Sequence, residues 1–217
     1  MLRRILQEPV SVIGSGRTDA GVHAAAQVAH VRTRSLLPCS RLLRSVNALL
    51  PPDIAVLTIH EAGETFHARF SARRKRYRYR IYTGEVVPPF IRPYAHHVRA
   101  PLDVRAMRRE ATALKGQHDF RAFARTERLR PRSTRRAITE VAVARRAREI
   151  QIDVEGNGFL HTMVRSIAGT LIDVGRGHAP PGTVRRMLTT GARRLAGTTA
   201  PACGLTLLSV DYGKQDG

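Results

Sequence analysis

The chain contains no tryptophan and little aromatic content of any kind, 5% in all. Its 17 acidic residues face 37 lysines and arginines, and only two cysteines occur in 217 residues. Each scarcity excludes something. Cys39 and Cys203 stand far apart, without CxxC or Cys/His spacing, so neither a zinc site nor a disulfide framework is indicated; both read as free thiols in a reducing compartment. His96 and His97 would point to opposite faces of an extended segment, a poor arrangement for joint metal ligation, and no metal is implied. No apolar run reaches the roughly 18 to 20 residues that a membrane span requires. The opening MLRRILQEPVSV lacks the apolar core and cleavage site of a signal peptide, so the expected setting is cytoplasmic, away from membranes.

What is present is positive charge on a chain able to fold. The hydrophobic fraction is 42%, enough for a real core. The net charge is 37 − 17 = +20, and nearly all of the excess is arginine. Such a field attracts polyanions, and the forked guanidinium suits phosphates at least as well as it suits an acidic membrane.

Strand-like and helix-like periods alternate along the chain. Short strands are expected at 10–13 and 27–32, flanking the loop GSGRTDAGVHA at 14–24. Ser40 could cap a helix carrying Leu42, Leu43, Val46, Leu49 and Leu50 and stopped by Pro51-Pro52, and IAVLTI at 54–59 reads as a strand after it. Residues 77–81 alternate aromatic or apolar with basic side chains, as a strand would with one wall packed and the other facing phosphates. Asp103 is a candidate N-cap for a helix through Met107, Ala111 and Leu114, with Gly116 as terminator. Runs at 138–143 and 150–154, joined by ARRARE, read as an antiparallel hairpin. Phe159, Leu160, Met163, Val164, Ile167, Ala168, Leu171 and Ile172 form the clearest amphipathic stripe. A weaker helix at 184–188 and a final strand at 205–212 complete an α+β order, and a composition shift at 92–101 suggests two halves, 1–92 and 93–217.

Candidate chemistry centres on the first loop. GSG at 14–16 and GRG at 175–177 fit neither GxxxxGK[ST] nor GxGxxG, and Ser15 lacks a GxSxG context, so nucleotide cofactors and a hydrolase triad are unsupported. Asp19 is a carboxylate in a glycine-flanked loop with Arg17 nearby, able to project toward a substrate and to be kept ionised by a cation. The same residues are the ordinary vocabulary of a tight turn, and the segment alone favours that reading.

GRTDAGVHA resembles the signature loop of the tRNA pseudouridine synthase A family, and further segments match in that family's order. They are FHARFSARRKRYRY at 66–79, HDFRAF at 118–123, GNGFLHTMVRSIAGTLIDVG at 156–175 and GLTLLSVDY at 204–212. The resemblance implies a pseudouridine synthase fold, with two mixed or antiparallel-sheet subdomains and flanking helices around a central cleft. The first subdomain would carry the GRTDAGVH loop. It makes Asp19 the nucleophile and Arg165 its paired cation, Tyr77 the aromatic that stacks on the target uracil, Arg17 a basic neighbour holding the flipped nucleotide, and Leu205 a packing residue against the base. Each has a plainer reading: a turn, a solvated helix face, or ordinary core.

The implied reaction turns uridine into pseudouridine without cofactor at positions 38, 39 and 40 of the tRNA anticodon stem-loop. It would be carried out by a homodimer in which one tRNA spans both subunits. RLRPRSTRR at 128–136 and RRKR at 73–76 would grip the RNA backbone. A non-catalytic RNA-binding protein on the same scaffold is the competing reading, and a ribosome-associated basic protein a more distant one. The family's opening strand and part of its first helix, with YDG-like and GWQ-like motifs, have no counterpart here, and Met1 to Glu8 resembles the tail of that helix. That implies a start codon placed too far downstream, compensation through dimer contacts, or a poorly active remnant, and the first is preferred.

Overall fold

A computed structural model describes residues 1–124 and 133–213. The chain divides into two compact units, Met1–Gly16 with Val28–Ser71, and Arg17–Gln27 with Ala72–Gly217. This differs from a division at 92/93. The reason is the strand Arg74–Tyr82, which hydrogen-bonds along its length to strands from the end of the chain and so joins them.

In the first unit, α1 (Leu2–Leu6) and α2 (Cys39–Asn47) accompany a two-stranded antiparallel pair, β1 (Ile13–Gly14) with β3 (Ala29–His30). β2 (His23–Ala24) lies between them in sequence but belongs to the second unit. Leu6, Leu42 and Val46 form a small core, with Leu2, Ile5, Val10, Leu37, Leu50, Val56 and Ile59 packed against it. The helical spacing around Leu42 and Val46 is realised, but the cap position is Pro38 rather than Ser40, and α2 ends at Asn47, before Leu49 and Leu50. The expected strand at 54–59 is not formed. Instead the Asn47 side-chain amide brackets Val56, donating to its carbonyl and accepting from its N–H, both at 2.8 Å. β-branched composition favours a strand only where a neighbour completes the ladder, and no strand pairs with this segment among the described residues.

The second unit is built on a seven-stranded mixed sheet, counted among the described residues. Its strands are β2, β4 (Arg74–Tyr82), β5 (His96–His97), β6 (Gly116–Asp119), β7 (Arg135–Arg146), β8 (Glu149–Gly156) and β9 (Leu205–Asp211), in the order β2-β9-β4-β8-β7-β6 with β5 beside β4. The β2–β9 and β4–β5 pairs are parallel and the others antiparallel. The hairpin β7–β8 turns at Ala147, whose φ of 50° is a left-handed conformation. Alternation in β4 puts Tyr77, Tyr79 and Ile81 in register with Val154, Ile152 and Ile150 of β8, one apolar row of the core.

The opposite row of β4 is basic, but it does not present free arginines. Arg76 and Arg78 both bind Asp153 (3.0 and 2.7 Å), Arg80 binds Glu149 (2.6 Å) and Arg74 binds Asp211 (2.7 Å). Four of the cations expected to meet phosphate therefore meet carboxylates from neighbouring strands. Burial opposes ionisation of Asp153, yet the hydrogen bonds from Arg78 and Arg76 outweigh it and hold the carboxyl below its usual range.

Helices α3 (Val104–Thr112), α4 (Met163–Gly175) and α5 (Thr183–Thr190) belong to this unit. Asp103 caps α3 as expected, its Oδ1 accepting from the N–H groups of Arg105 (2.8 Å) and Ala106 (3.0 Å). Glu110 of α3 accepts from Gly182 N (2.5 Å) and Val184 N (3.0 Å), satisfying otherwise unpaired N–H groups at the start of α5. The predicted stripe is the buried face of α4, although Phe159 and Leu160 precede the helix. Gly169 has a steric reason: a Cβ there would run into the carbonyl oxygen of Thr198. A chain segment thus lies directly against α4.

Candidate active site

The first loop's ambiguity resolves into two sets of atoms. The carbonyl of Asp19 accepts from Val22 N at 3.1 Å, and Gly21 supplies a φ of +80° within the turn. The backbone makes the turn; the carboxylate is not used for it. Oδ2 accepts from Arg165 Nη1 at 2.5 Å and Oδ1 lies 3.0 Å from His161 Nε2. The Asp19 and Arg165 side chains are 22% and 19% exposed, so the pair is partly desolvated and still reachable.

α4 determines where these partners stand. Arg165 is its third residue, and His161 lies two residues before its first. The carboxylate is therefore held beside the first turn of a 13-residue helix, where the positive end of the helix dipole also favours an anion. Thr162 enters the helix with φ 61°, a left-handed conformation uncommon for a branched residue, and its hydroxyl is buried without a partner. Arg165 is tied at its other end: Nε donates to Ala200 O at 2.8 Å, and Ala200 N donates back to Arg165 O at 3.1 Å. A guanidinium anchored on one side and pointing at a carboxylate on the other is pre-oriented rather than swinging in solvent.

Tyr77 stands near the pair. It packs edge-on against Phe159, ring centroids 5.1 Å apart. Its phenol is pushed above the ordinary tyrosine value, first by burial and then by the negative charge of Asp19, so the ring is neutral and the hydroxyl protonated at neutral pH. Tyr79, fully buried, donates to Pro201 O at 2.9 Å and is crowded by Gly204, where a Cβ would meet the ring at 2.7 Å.

Of the residues the sequence nominated, Asp19 and Arg165 are brought into contact, and Tyr77 feels the charge of Asp19. Arg17 is exposed, two positions before Asp19 in the loop. Leu205 is 6% exposed and belongs to the main core, in register with Tyr79. Of RLRPRSTRR, residues 128–132 lie outside the described residues, and Arg136 donates to the carbonyls of Ser133 and Arg135. His161 was not nominated. Its position four residues before Arg165, a spacing that places two side chains on one face of a helical turn, was the available signal. Among the described residues, no group of three or more His, Cys, Asp or Glu side chains could hold a metal ion, and no helix is long and apolar enough to cross a membrane.

Known proteins share this chain's sequence over nearly its full length. The family described as tRNA pseudouridine synthase matches residues 2–71 and 111–213. The protein named tRNA pseudouridine synthase A from Syntrophotalea carbinolica is 45% identical over 215 residues, 99% of this chain and 85% of its own. Those of the same name from Pelobacter propionicus and Pectobacterium atrosepticum are 47% and 42% identical, each over 97% of this chain and over 86% and 74% of their own lengths. The Asp19 loop and the whole of α4 lie inside the matched segments, and the chain belongs to the tRNA pseudouridine synthase family.

Proposed function

We propose that this protein is an isomerase that converts uridine to pseudouridine in tRNA, with Asp19 as the nucleophile. The observation that carries the reading is the Asp19 carboxylate, held between Arg165 and His161 beside the neutral, half-buried ring of Tyr77. The reaction breaks the bond from ribose C1′ to uracil N1, turns the base, and joins C1′ to C5. The C5 proton leaves and N1 acquires one, so there is no net redox change. Asp19 serves by attack at C6 of the uracil, by attack at C1′, or by assisting a glycal route. All three need an ionised carboxylate at close range, which a neighbouring guanidinium stabilises at modest desolvation.

A uridine stacked in an RNA stem is out of reach of such a group, so it is flipped out, at a cost of a few kcal/mol. Stacking on an aromatic ring returns about 1–3 kcal/mol, the role given to Tyr77. Arg17, exposed on the same loop as Asp19, is assigned to the phosphate of the flipped nucleotide, and Leu205 to the edge of the base. The same reading takes uridines 38, 39 and 40 of the anticodon arm as targets, and a homodimer in the cytoplasm as the working form. The charge of +20 supports an RNA partner.

Asp19→Asn separates this from a non-catalytic RNA-binding protein. The amide keeps the size and one acceptor but cannot act as the nucleophile. Pseudouridine formation on tRNA transcripts is expected to disappear while tRNA affinity stays within about threefold, since a single partly exposed side chain contributes little to a phosphate-dominated interface. Modification that survives the substitution removes Asp19 from the chemistry. A wild-type chain that binds tRNA and modifies nothing favours the binding protein.

A further inference from the structure

Arg165 can orient Asp19 only as well as Arg165 is itself oriented, and its anchor is a loop carbonyl, Ala200 O. That loop is fastened from several sides. Thr198 lies against Gly169 of α4 at a distance only glycine permits, and Gly197 N donates to Thr170 Oγ1 at 3.3 Å. Tyr79 holds Pro201. Arg193 also reaches this loop: its guanidinium donates from Nη2 to Thr199 Oγ1 (3.0 Å), and from Nη1 to Ser166 Oγ (3.0 Å) and Ala122 O (3.2 Å).

Two of these partners adjoin the Arg165 clasp in sequence. Thr199 precedes Ala200, which exchanges both of its bonds with Arg165, and Ser166 follows Arg165. The third, Ala122, belongs to the HDFRAF segment. There Asp119 Oδ1 accepts from Arg121 N and Thr134 Oγ1, and Phe120 and Phe123 are fully buried. Ser166 and Ala122 are also fully buried, so this is a rigid frame rather than a solvated contact.

We infer that Arg193 is a positioning residue for the isomerisation: by bridging Thr199, Ser166 and the Ala122 carbonyl it fixes the Ala200 anchor, and through it the aim of the Arg165 guanidinium at Asp19. The inference rests on the proposed function and goes beyond it. It gives the HDFRAF segment a task, supplying a buried carbonyl to the second guanidinium in line from the carboxylate. None of these three contacts is with the Asp19 carboxylate, so the effect expected of them runs through Arg165. Residues that act as one unit are non-additive on mutation, whereas independent contributions to folding add.

The test is a double-mutant cycle, read as kcat and KM for pseudouridine formation in tRNA. Arg193→Met is expected to lower kcat by about 30-fold with KM within about twofold, and to lower it by less than about threefold when Arg165 is already lysine. An equal loss in both backgrounds, or a change confined to KM, overturns the inference. Should Arg193→Met fail to fold by circular dichroism, Thr199→Val and Ser166→Ala carry the same cycle. Each removes one acceptor with little change of shape, with about 3- to 10-fold expected alone and under twofold on Arg165→Lys. A wild-type chain that makes no pseudouridine sinks the functional reading and this inference together, while additive losses in an active enzyme sink the inference alone.

Discussion

Arg165→Lys tests the site without removing its charge. Arginine here spans two acceptors, Nη1 on Asp19 Oδ2 at 2.5 Å and Nε on Ala200 O at 2.8 Å. A lysine ammonium carries its three N–H donors on one nitrogen at the end of an unbranched stem, so it cannot take the two positions that Nη1 and Nε occupy, and it serves Asp19 or the Ala200 carbonyl but not both in this geometry. The gross attraction between unit charges about 4 Å apart is about 4 kcal/mol at an effective dielectric near 20, and lysine retains most of it. What is lost is one hydrogen bond to or from a charged group, about 1.5–3 kcal/mol. At 1.36 kcal/mol per tenfold, kcat should fall by about 10- to 150-fold. KM and tRNA affinity should move little, because the guanidinium is engaged by the Asp19 carboxylate, the proposed nucleophile, and by the Ala200 carbonyl. Joining C1′ to C5 expels the C5 hydrogen, so single-turnover release of tritium from tRNA carrying 5-tritiated uridine reads the step directly. Circular dichroism at matched temperature checks the fold. A kcat within about twofold of wild type would refute the argument that the forked contact orients Asp19, and a loss appearing only in KM would move Arg165 to substrate binding.

Other outcomes follow from the same geometry. If Tyr77 stacks on the base as proposed, Tyr77→Ala should lower kcat by about 5- to 150-fold, the equivalent of about 1–3 kcal/mol, measured by the same tritium release. Because the Tyr77 phenol is raised above 10.0 by burial and then by Asp19, its contribution to folding is complete below about pH 10 and is lost as pH climbs through the folded value. Alkaline unfolding midpoints of wild type and Tyr77→Phe should therefore converge toward neutral pH, apart from a constant offset, and separate above pH 10. Asp153 titrates the other way: its folded value lies below 3.8, so its contribution is complete above that pH and disappears as pH falls through the folded value. Asp153→Asn should cost about 1–3 kcal/mol at pH 7 by leaving Arg76 and Arg78 beside an amide, and progressively less in urea unfolding as the pH is taken down below 3.8. Binding of tRNA should weaken by several powers of ten between about 50 and 200 mM salt if six or more phosphates are neutralised. A flat response in filter binding would remove the basic surface from the account.

Elements that carry their own evidence were legible before any coordinates. The α4 stripe, the Asp103 cap and the β7–β8 hairpin depend on neighbours three, four or ten residues away. Charge was legible too, but its deployment was not. Alternation in β4 pointed to arginines facing phosphate, whereas the carboxylates that hold Arg76, Arg78 and Arg80 come from β8, about 70 residues later. The strand reading at 54–59 failed for a similar reason, since strand propensity needs a partner edge and the bonds there go to Asn47.

By itself the sequence determined composition, charge, the helix periods and a glycine-rich loop bearing a carboxylate. A resemblance read from its motifs named Asp19 and Arg165 together. Only the tertiary structure decided that the Asp19 backbone makes the turn while its side chain meets Arg165 and His161. Only the tertiary structure decided that Leu205 stands in register with Tyr79 and that Arg193 braces the Ala200 loop. The reason is sequence distance: the Arg165 bond to Asp19 spans 146 positions and its bond to Ala200 spans 35. No local periodicity encodes such a meeting; it exists once a sheet and a helix have packed.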